Sequence, residues 1–103
     1  MKNDVRQRVI EVTARHFKAP KALRTFVEKE VRKLNRYYEE GILDYHIILT
    51  HDSHEEKAEI VANSKGHRFA AQESDVKMDR AVVLAVEKIK HQLTRHRDKL
   101  VEK

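Results

Sequence analysis

The segment from Met78 to Leu100 constrains the fold most. Met78, Val82, Ala85, Val86, Ile89, Leu93 and Leu100 recur at helical spacing over 23 residues. At 100° per residue they cluster within roughly a third of the circumference. A helix of this length and pattern is stable only when its apolar stripe is covered, so the rest of the chain must supply a matching apolar layer.

The remaining segments read as pieces of such a layer. Val9-Ile10-Glu11-Val12-Thr13 is short and β-branched and predicts a strand near residues 6–16. Pro20 suits the first turn of a helix, where its missing N–H is harmless. Leu23, Phe26, Val27, Val31, Leu34 and Tyr37 or Tyr38 follow at helical spacing, with Gly41 as a natural stop. From Ile42 to Thr50, Leu43, Tyr45, Ile47 and Leu49 alternate with Asp44, His46, Ile48 and Thr50, as in a strand with one buried face. After a polar loop at 51–56, Lys57 to Asn63 alternates around Ala58, Ile60 and Ala62. Ser64-Lys65-Gly66 is turn chemistry, and His67 to Glu73 sets Phe69 and Ala71 on one side, which completes an antiparallel hairpin. Ser74 or Asp75 can cap the final helix. The expected fold class is α+β: a β-α-β-β-β-α two-layer sandwich with two amphipathic helices packed on one face of a four-stranded sheet.

Composition narrows the chemistry. At 103 residues the chain has room for one domain. It has no cysteine, which excludes a disulfide scaffold, a thiolate zinc site, an iron–sulfur cluster and a thiol nucleophile. No apolar run reaches the ~20 residues of a membrane span. Residues 1–8 lead into no signal-peptide core, so export is not expected. With two Gly and one Pro there is no phosphate-cradling Gly-rich loop. No G-x-S-x-G, H-E-x-x-H or G-x-x-x-x-G-K pattern occurs. Carboxylate pairs such as Glu39-Glu40 and Glu55-Glu56 sit at turns, where they solubilise. An enzyme is not expected.

The charge is unevenly spread. Residues 1–40 hold 11 Lys/Arg against 6 Asp/Glu, residues 41–75 hold 3 against 7, and residues 76–103 hold 8 against 4. The basic thirds are those that carry the two predicted helices. On the last helix, Lys88, Gln92, Arg95 and Lys99 share a stripe flanking the apolar face, His91 lies beside it, and Lys90 and Arg97 lie on the other flank. Two basic stripes beside a buried seam can reach phosphates that line a groove, because Lys and Arg displace condensed counterions. They are equally the surface of an ordinary soluble helix, diluted by Glu87 and Asp98. The pair His51-x-x-His54 lies in a loop, which does not fix metal geometry, and reads as solvated surface. His91 and His96 are five apart and share no face. His96 falls near the apolar stripe, as a packed histidine at a helix end would.

The segment 78–100, with Glu87-Lys88, Gln92-Leu93 and Thr94-Arg95-His96-Arg97-Asp98-Lys99-Leu100, resembles the closing helix of the ribosome hibernation-promoting factor and ribosome-associated translation inhibitor family, also called sigma-54 modulation proteins. Ala22-Leu23-Arg24, Phe26-Val27, Lys33-Leu34 and Tyr37-Tyr38 resemble the family's first helix, and the element order agrees. Departures are Ala14, Pro20, Asp79 and His91, the last standing where the family often has Arg.

The resemblance implies a cytoplasmic, non-enzymatic protein with no cofactor, no small-molecule substrate and no membrane partner. Its partner would be the small ribosomal subunit, through rRNA in the mRNA/tRNA channel near the decoding centre, where it would stop translation during stress or stationary phase. The rRNA contacts it implies fall on Lys88, His91, Gln92, Arg95, Arg97 and Lys99 of the last helix, and on Arg24, Lys21 and Lys33 of the first. It also implies a short form, a single ribosome-binding domain over 1–103 without the C-terminal dimerisation domain of long members. Two other readings stay open. A general double-stranded-RNA-binding module starts with a helix and places a Lys cluster at the start of its last helix, where this chain has Asp75-Val76-Lys77-Met78-Asp79. The third reading is a protein-binding regulator of a transcription factor, as the older name suggests.

Overall fold

A computed structural model describes residues 9–38, 41–42 and 44–101, the last three by backbone alone. Strand β1 (Val9–Arg15) leads into helix α1 (Lys21–Arg32) and a 3₁₀ segment (Lys33–Tyr37). Strands β2 (Asp44–His51), β3 (Glu56–Ser64) and β4 (His67–Asp75) follow, then helix α2 (Met78–Val101). The sheet order is β1-β2-β3-β4. β1 and β2 are parallel, as strands joined by a helical crossover can be, with Val12 opposite Ile47. β2–β3 and β3–β4 are antiparallel, with Ile47 opposite Ile60 and Ile60 opposite Ala71.

The period-2 pattern in each strand decides which face is covered. Tyr45, Ile47 and Leu49, then Ala58, Ile60 and Ala62, then Phe69 and Ala71, are all buried on one side. Both helices cover that side, α1 against β1 and α2 against β3 and β4. The α2 stripe is in the core through Val82, Ala85, Val86, Ile89 and Leu93, with Met78 packed at its start. The stripe also contains Ala81, a small residue that lets the helix approach the sheet. The fold is thus the expected α+β sandwich. Leu43 lies outside the described residues, as does the Leu100 side chain.

Element ends differ from the expectation in several places; β2 runs one residue further, to His51, and β3 spans Glu56–Ser64, one residue longer at each end. The first helix does not run unbroken to Gly41; it tightens to 3₁₀ geometry after Arg32. In a three-residue turn, positions i and i+3 eclipse, so Leu34 and Tyr37 face the core together. The Tyr45 hydroxyl, carried by a fully buried ring, donates to Asn35 Oδ1 at 2.6 Å and holds the tightened turn on the sheet. Gly41 then takes φ +90°, a left-handed conformation open to glycine. Pro20 sits one residue before the helix, extended, its carbonyl accepting from the N–H of Leu23 (3.0 Å) and Arg24 (3.1 Å). β4 runs on to Asp75, whose carboxylate accepts the Lys77 N–H at 3.0 Å and turns the chain into α2.

Candidate nucleic-acid interface

Folding sorts the charge by layer. The two helical segments, 21–37 and 78–101, hold 12 Lys/Arg against 5 Asp/Glu, whereas the four strands hold 3 against 6. The helical segments of the two basic thirds therefore form one layer of the molecule.

The sequence-predicted site residues occupy separate places within it. Lys88, Gln92 and Arg95 line the flank of α2 that faces β4. The Lys88 ammonium pairs with Glu73 at 2.8 Å, and the Gln92 side-chain amide donates to the Ala70 carbonyl at 2.8 Å. Arg95 is exposed and has no ion pair among the described residues. His91 points away from the sheet, 3.9 Å from Glu87. Arg97 is exposed on the opposite flank, with Asp98 at 3.7 Å. On that flank the Lys90 ammonium stands 5.2 Å from the centre of the Tyr37 ring, a cation–π contact that ties α2 to the 3₁₀ segment. The Lys99 side chain lies outside the described residues.

The residues of α1 and of the 3₁₀ turn after it divide likewise. Arg24 donates from Nη1 to the Val12 carbonyl of β1 at 3.3 Å. Lys33 is held by Glu30 at 3.0 Å, and Lys21 is exposed at the helix start. β1 and β4 are the two edges of the sheet. Three strand spacings of about 4.8 Å, roughly 14 Å in all, therefore separate the Arg24 anchor from the Gln92 anchor. The structure brings Lys88, Gln92 and Arg95 together and sets Arg24 and Lys21 on the far side. The layer is a broad basic surface with cations along both rims, suited to an extended polyanion rather than a single phosphate.

The histidines find local partners. His51 Nδ1 lies 3.0 Å from both carboxylate oxygens of Glu56, and His54 Nδ1 lies 2.9 Å from Ser53 Oγ. Asp52 accepts the His54 backbone N–H at 3.4 Å; that bond, with the nearby Lys57 charge, holds its carboxyl below the usual carboxylate range. Among the described residues, no three potential ligands gather around a common point. His96 packs among Tyr38, Phe69 and His67, its ring centre 4.4 Å from that of His67, and its buried Nε2 has no hydrogen-bond partner.

With this geometry established, residues 10–101 match the family model of the sigma 54 modulation protein / S30EA ribosomal protein. The chain belongs to this family. A ribosome hibernation promoting factor of Azotobacter vinelandii is 24% identical over 94 residues, which cover 91% of this chain and 87% of that protein. The N-terminal domain of Protein Y from Thermus thermophilus has the same fold, with a TM-score of 0.78 and 23% identity over 87% of this chain and 99% of its own. A ribosomal subunit interface protein from Coxiella burnetii superposes with a TM-score of 0.79 and 24% identity over 86% of this chain and 97% of its own. Within the S30EA family fold, the residues that sequence reasoning did not single out are Glu73, Ala70 and Val12. They are the local partners of Lys88, Gln92 and Arg24. None carries a sequence signal for this role, because two offer only a backbone carbonyl and the third is one acid among many.

Proposed function

We propose that this chain is a ribosome hibernation factor. In this reading it binds the small ribosomal subunit in the mRNA/tRNA channel near the decoding centre and inhibits translation during stress or stationary phase, in the cytoplasm. The observation that carries it is the charge sorting: the helices present a cation-rich layer while the strands carry an acidic excess. An anionic channel wall is the complementary surface, and family membership names the ribosome as the anion. No bond is made or broken; the protein acts by occupying space. Arg95, Arg97, Lys88, Lys99 and His91 on α2, with Lys21 and Arg24 on α1 and Lys33 at the start of the 3₁₀ segment, supply phosphate contacts. Gln92, between Lys88 and Arg95, offers its amide oxygen as an acceptor for a ribose hydroxyl. Phosphate contacts give position and affinity, and the shape of folded rRNA gives specificity. Among the described residues no helix is long and apolar enough to cross a membrane.

Cosedimentation with purified small subunits, across a salt series and beside a free RNA duplex, tests the reading. Saturable ribosome binding is expected, with log K falling against log salt by about 0.7–0.9 per phosphate contacted. The duplex should bind far more weakly. Equal binding to both would make the chain a general RNA-binding module, and no binding to either at low salt would remove the reading.

A further inference from the structure

Both edges of the sheet are met by a helix side chain that donates to a backbone carbonyl: Gln92 to Ala70 on β4, and Arg24 to Val12 on β1. An edge strand presents unpaired N–H and C=O groups, a template for strand addition that folded proteins keep covered. We propose that the β4 edge is a strand-addition surface held closed by Gln92, and that the partner it fits when opened is the β4 edge of a second copy of this chain.

The β4 register gives the surface its shape. Ala70 pairs with Val61 of β3, yet its carbonyl is taken by Gln92. Backbone groups alternate in direction along an antiparallel strand, so Arg68, Gln72 and Ser74 also turn theirs to the open side. Gln92 therefore sits at the middle of a row of four residues. Lys88, one turn earlier on α2, reaches Glu73 of the same strand and covers the next stretch. An incoming strand must displace the Gln92 amide to pair.

The charge order along β4 selects the occupant. The strand starts basic, with His67 and Arg68, and ends acidic, with Glu73 and Asp75. An antiparallel copy centred on Ala71 sets His67 opposite Asp75 and Arg68 opposite Ser74 beside it, whereas a parallel in-register copy would set His67 and Arg68 against their like and Glu73 and Asp75 against theirs. Such a pair is two-fold symmetric and closes on itself. The cations on the same α2 flank, Lys88 and Arg95, would then face their counterparts and repel. That repulsion is a second device that keeps the native edge single. The inference does not rest on ribosome binding; it concerns what Gln92 does when no RNA is present.

The chain has no cysteine, so single introduced thiols report unambiguously. Gln92→Met removes the donor at similar volume and keeps helix propensity; Gln92→Glu removes it with a different side chain, and Gln92→Lys retains a donor. Sedimentation equilibrium should show self-association strengthened about tenfold in Gln92→Met. Two caps, each comparable to one ordinary hydrogen bond, no longer have to be displaced. Gln92→Glu should shift in the same direction, and Gln92→Lys should behave as the parent. In the Gln92→Met background, a short bismaleimide should couple Gln72→Cys, on the β4 edge, and not Val83→Cys on α2. Folded Gln92→Met and Gln92→Glu proteins that sediment as the parent would overturn the proposal, and so would equal coupling at both thiols. Small-subunit cosedimentation separates this from the RNA reading. Gln92→Met also removes an RNA contact and is expected to bind the small subunit more weakly; stronger self-association in the absence of RNA supports the cap, whereas a loss of binding with unchanged self-association would assign Gln92 to RNA alone and remove the cap.

Discussion

The outer face of the sheet and the helical layer handle charge in opposite ways. On the sheet, a cluster of polar groups around His46 satisfies itself across strands. His46 lies 2.8 Å from Glu11 and 3.4 Å from Asp44, and Asn63 donates to Asp44 at 2.8 Å. On the helices, pairing leaves a surplus. Glu30 and Glu73 engage Lys33 and Lys88, but Lys21, Lys29, Arg36 and Arg95 have no ion pair among the described residues. A self-satisfied surface gains little from a charged partner, whereas a surface with surplus cations gains counterion release. The net charge of +5 therefore understates the helical layer, because the acidic excess of the strands offsets part of it.

The largest effect tests the seam on which both layers rest. Leu93 is fully buried, and Leu93→Asp should cost more than the ~2–5 kcal/mol of a core leucine truncated to alanine, because it also buries a charge. The domain should be unfolded or nearly so in a urea titration; a native-like midpoint would mean that the α2 stripe has another register. Next comes the contrast itself. Reversal of Lys88, Arg95 and Lys99 to Glu should lower small-subunit affinity by at least ~100-fold, about 2.7 kcal/mol or more, with the fold retained by circular dichroism. Lys57→Glu on the sheet face should change affinity by less than about twofold, as expected of a rim charge away from the contact. Comparable losses from both changes would dissolve the distinction between the faces.

A smaller effect probes why the first helix tightens. Tyr45→Phe removes the hydroxyl that donates to Asn35 and should cost about 1 kcal/mol. Amide exchange should rise locally in the 3₁₀ segment, and an unchanged melting curve would show that the core side chains hold that turn unaided. The smallest effect lies in the β2–β3 loop, on neither layer. Since its folded carboxyl is held below the usual range, Asp52 contributes stability above the ordinary carboxylate value of about 3.9, and that contribution is lost as pH falls through the folded value. Asp52→Asn should slightly flatten the acid limb of a urea-midpoint profile as pH falls through and below the ordinary carboxylate range. An identical limb would mean that the same bonds form in the unfolded loop.

Much of the fold was legible because two periods, 2.0 and 3.6, separate core from surface without any knowledge of partners. Tyr45, Ile47 and Leu49 on β2 and Val82, Ile89 and Leu93 on α2 are buried where their spacing places them. The 3₁₀ segment was not legible, because a contact that holds it on the sheet comes from a hydroxyl ten residues further along the chain. Of the candidate site, the residue types were legible and their company was not. Gln92 and Lys88 look alike in sequence, two polar residues on one stripe. Only the packing of α2 beside β4 gives one a carbonyl 22 residues away and the other a carboxylate.

The sequence by itself determined the element order, the buried faces and the basic character of both helices. These depend on local periodicity and on charge, which every residue carries wherever it lies. The tertiary structure alone decided which strands each helix covers, that Arg24 and Gln92 stand at opposite edges, and which cations among the described residues are left unpaired. Those facts depend on strand order and on side chains meeting across long stretches of chain, and no local pattern encodes either.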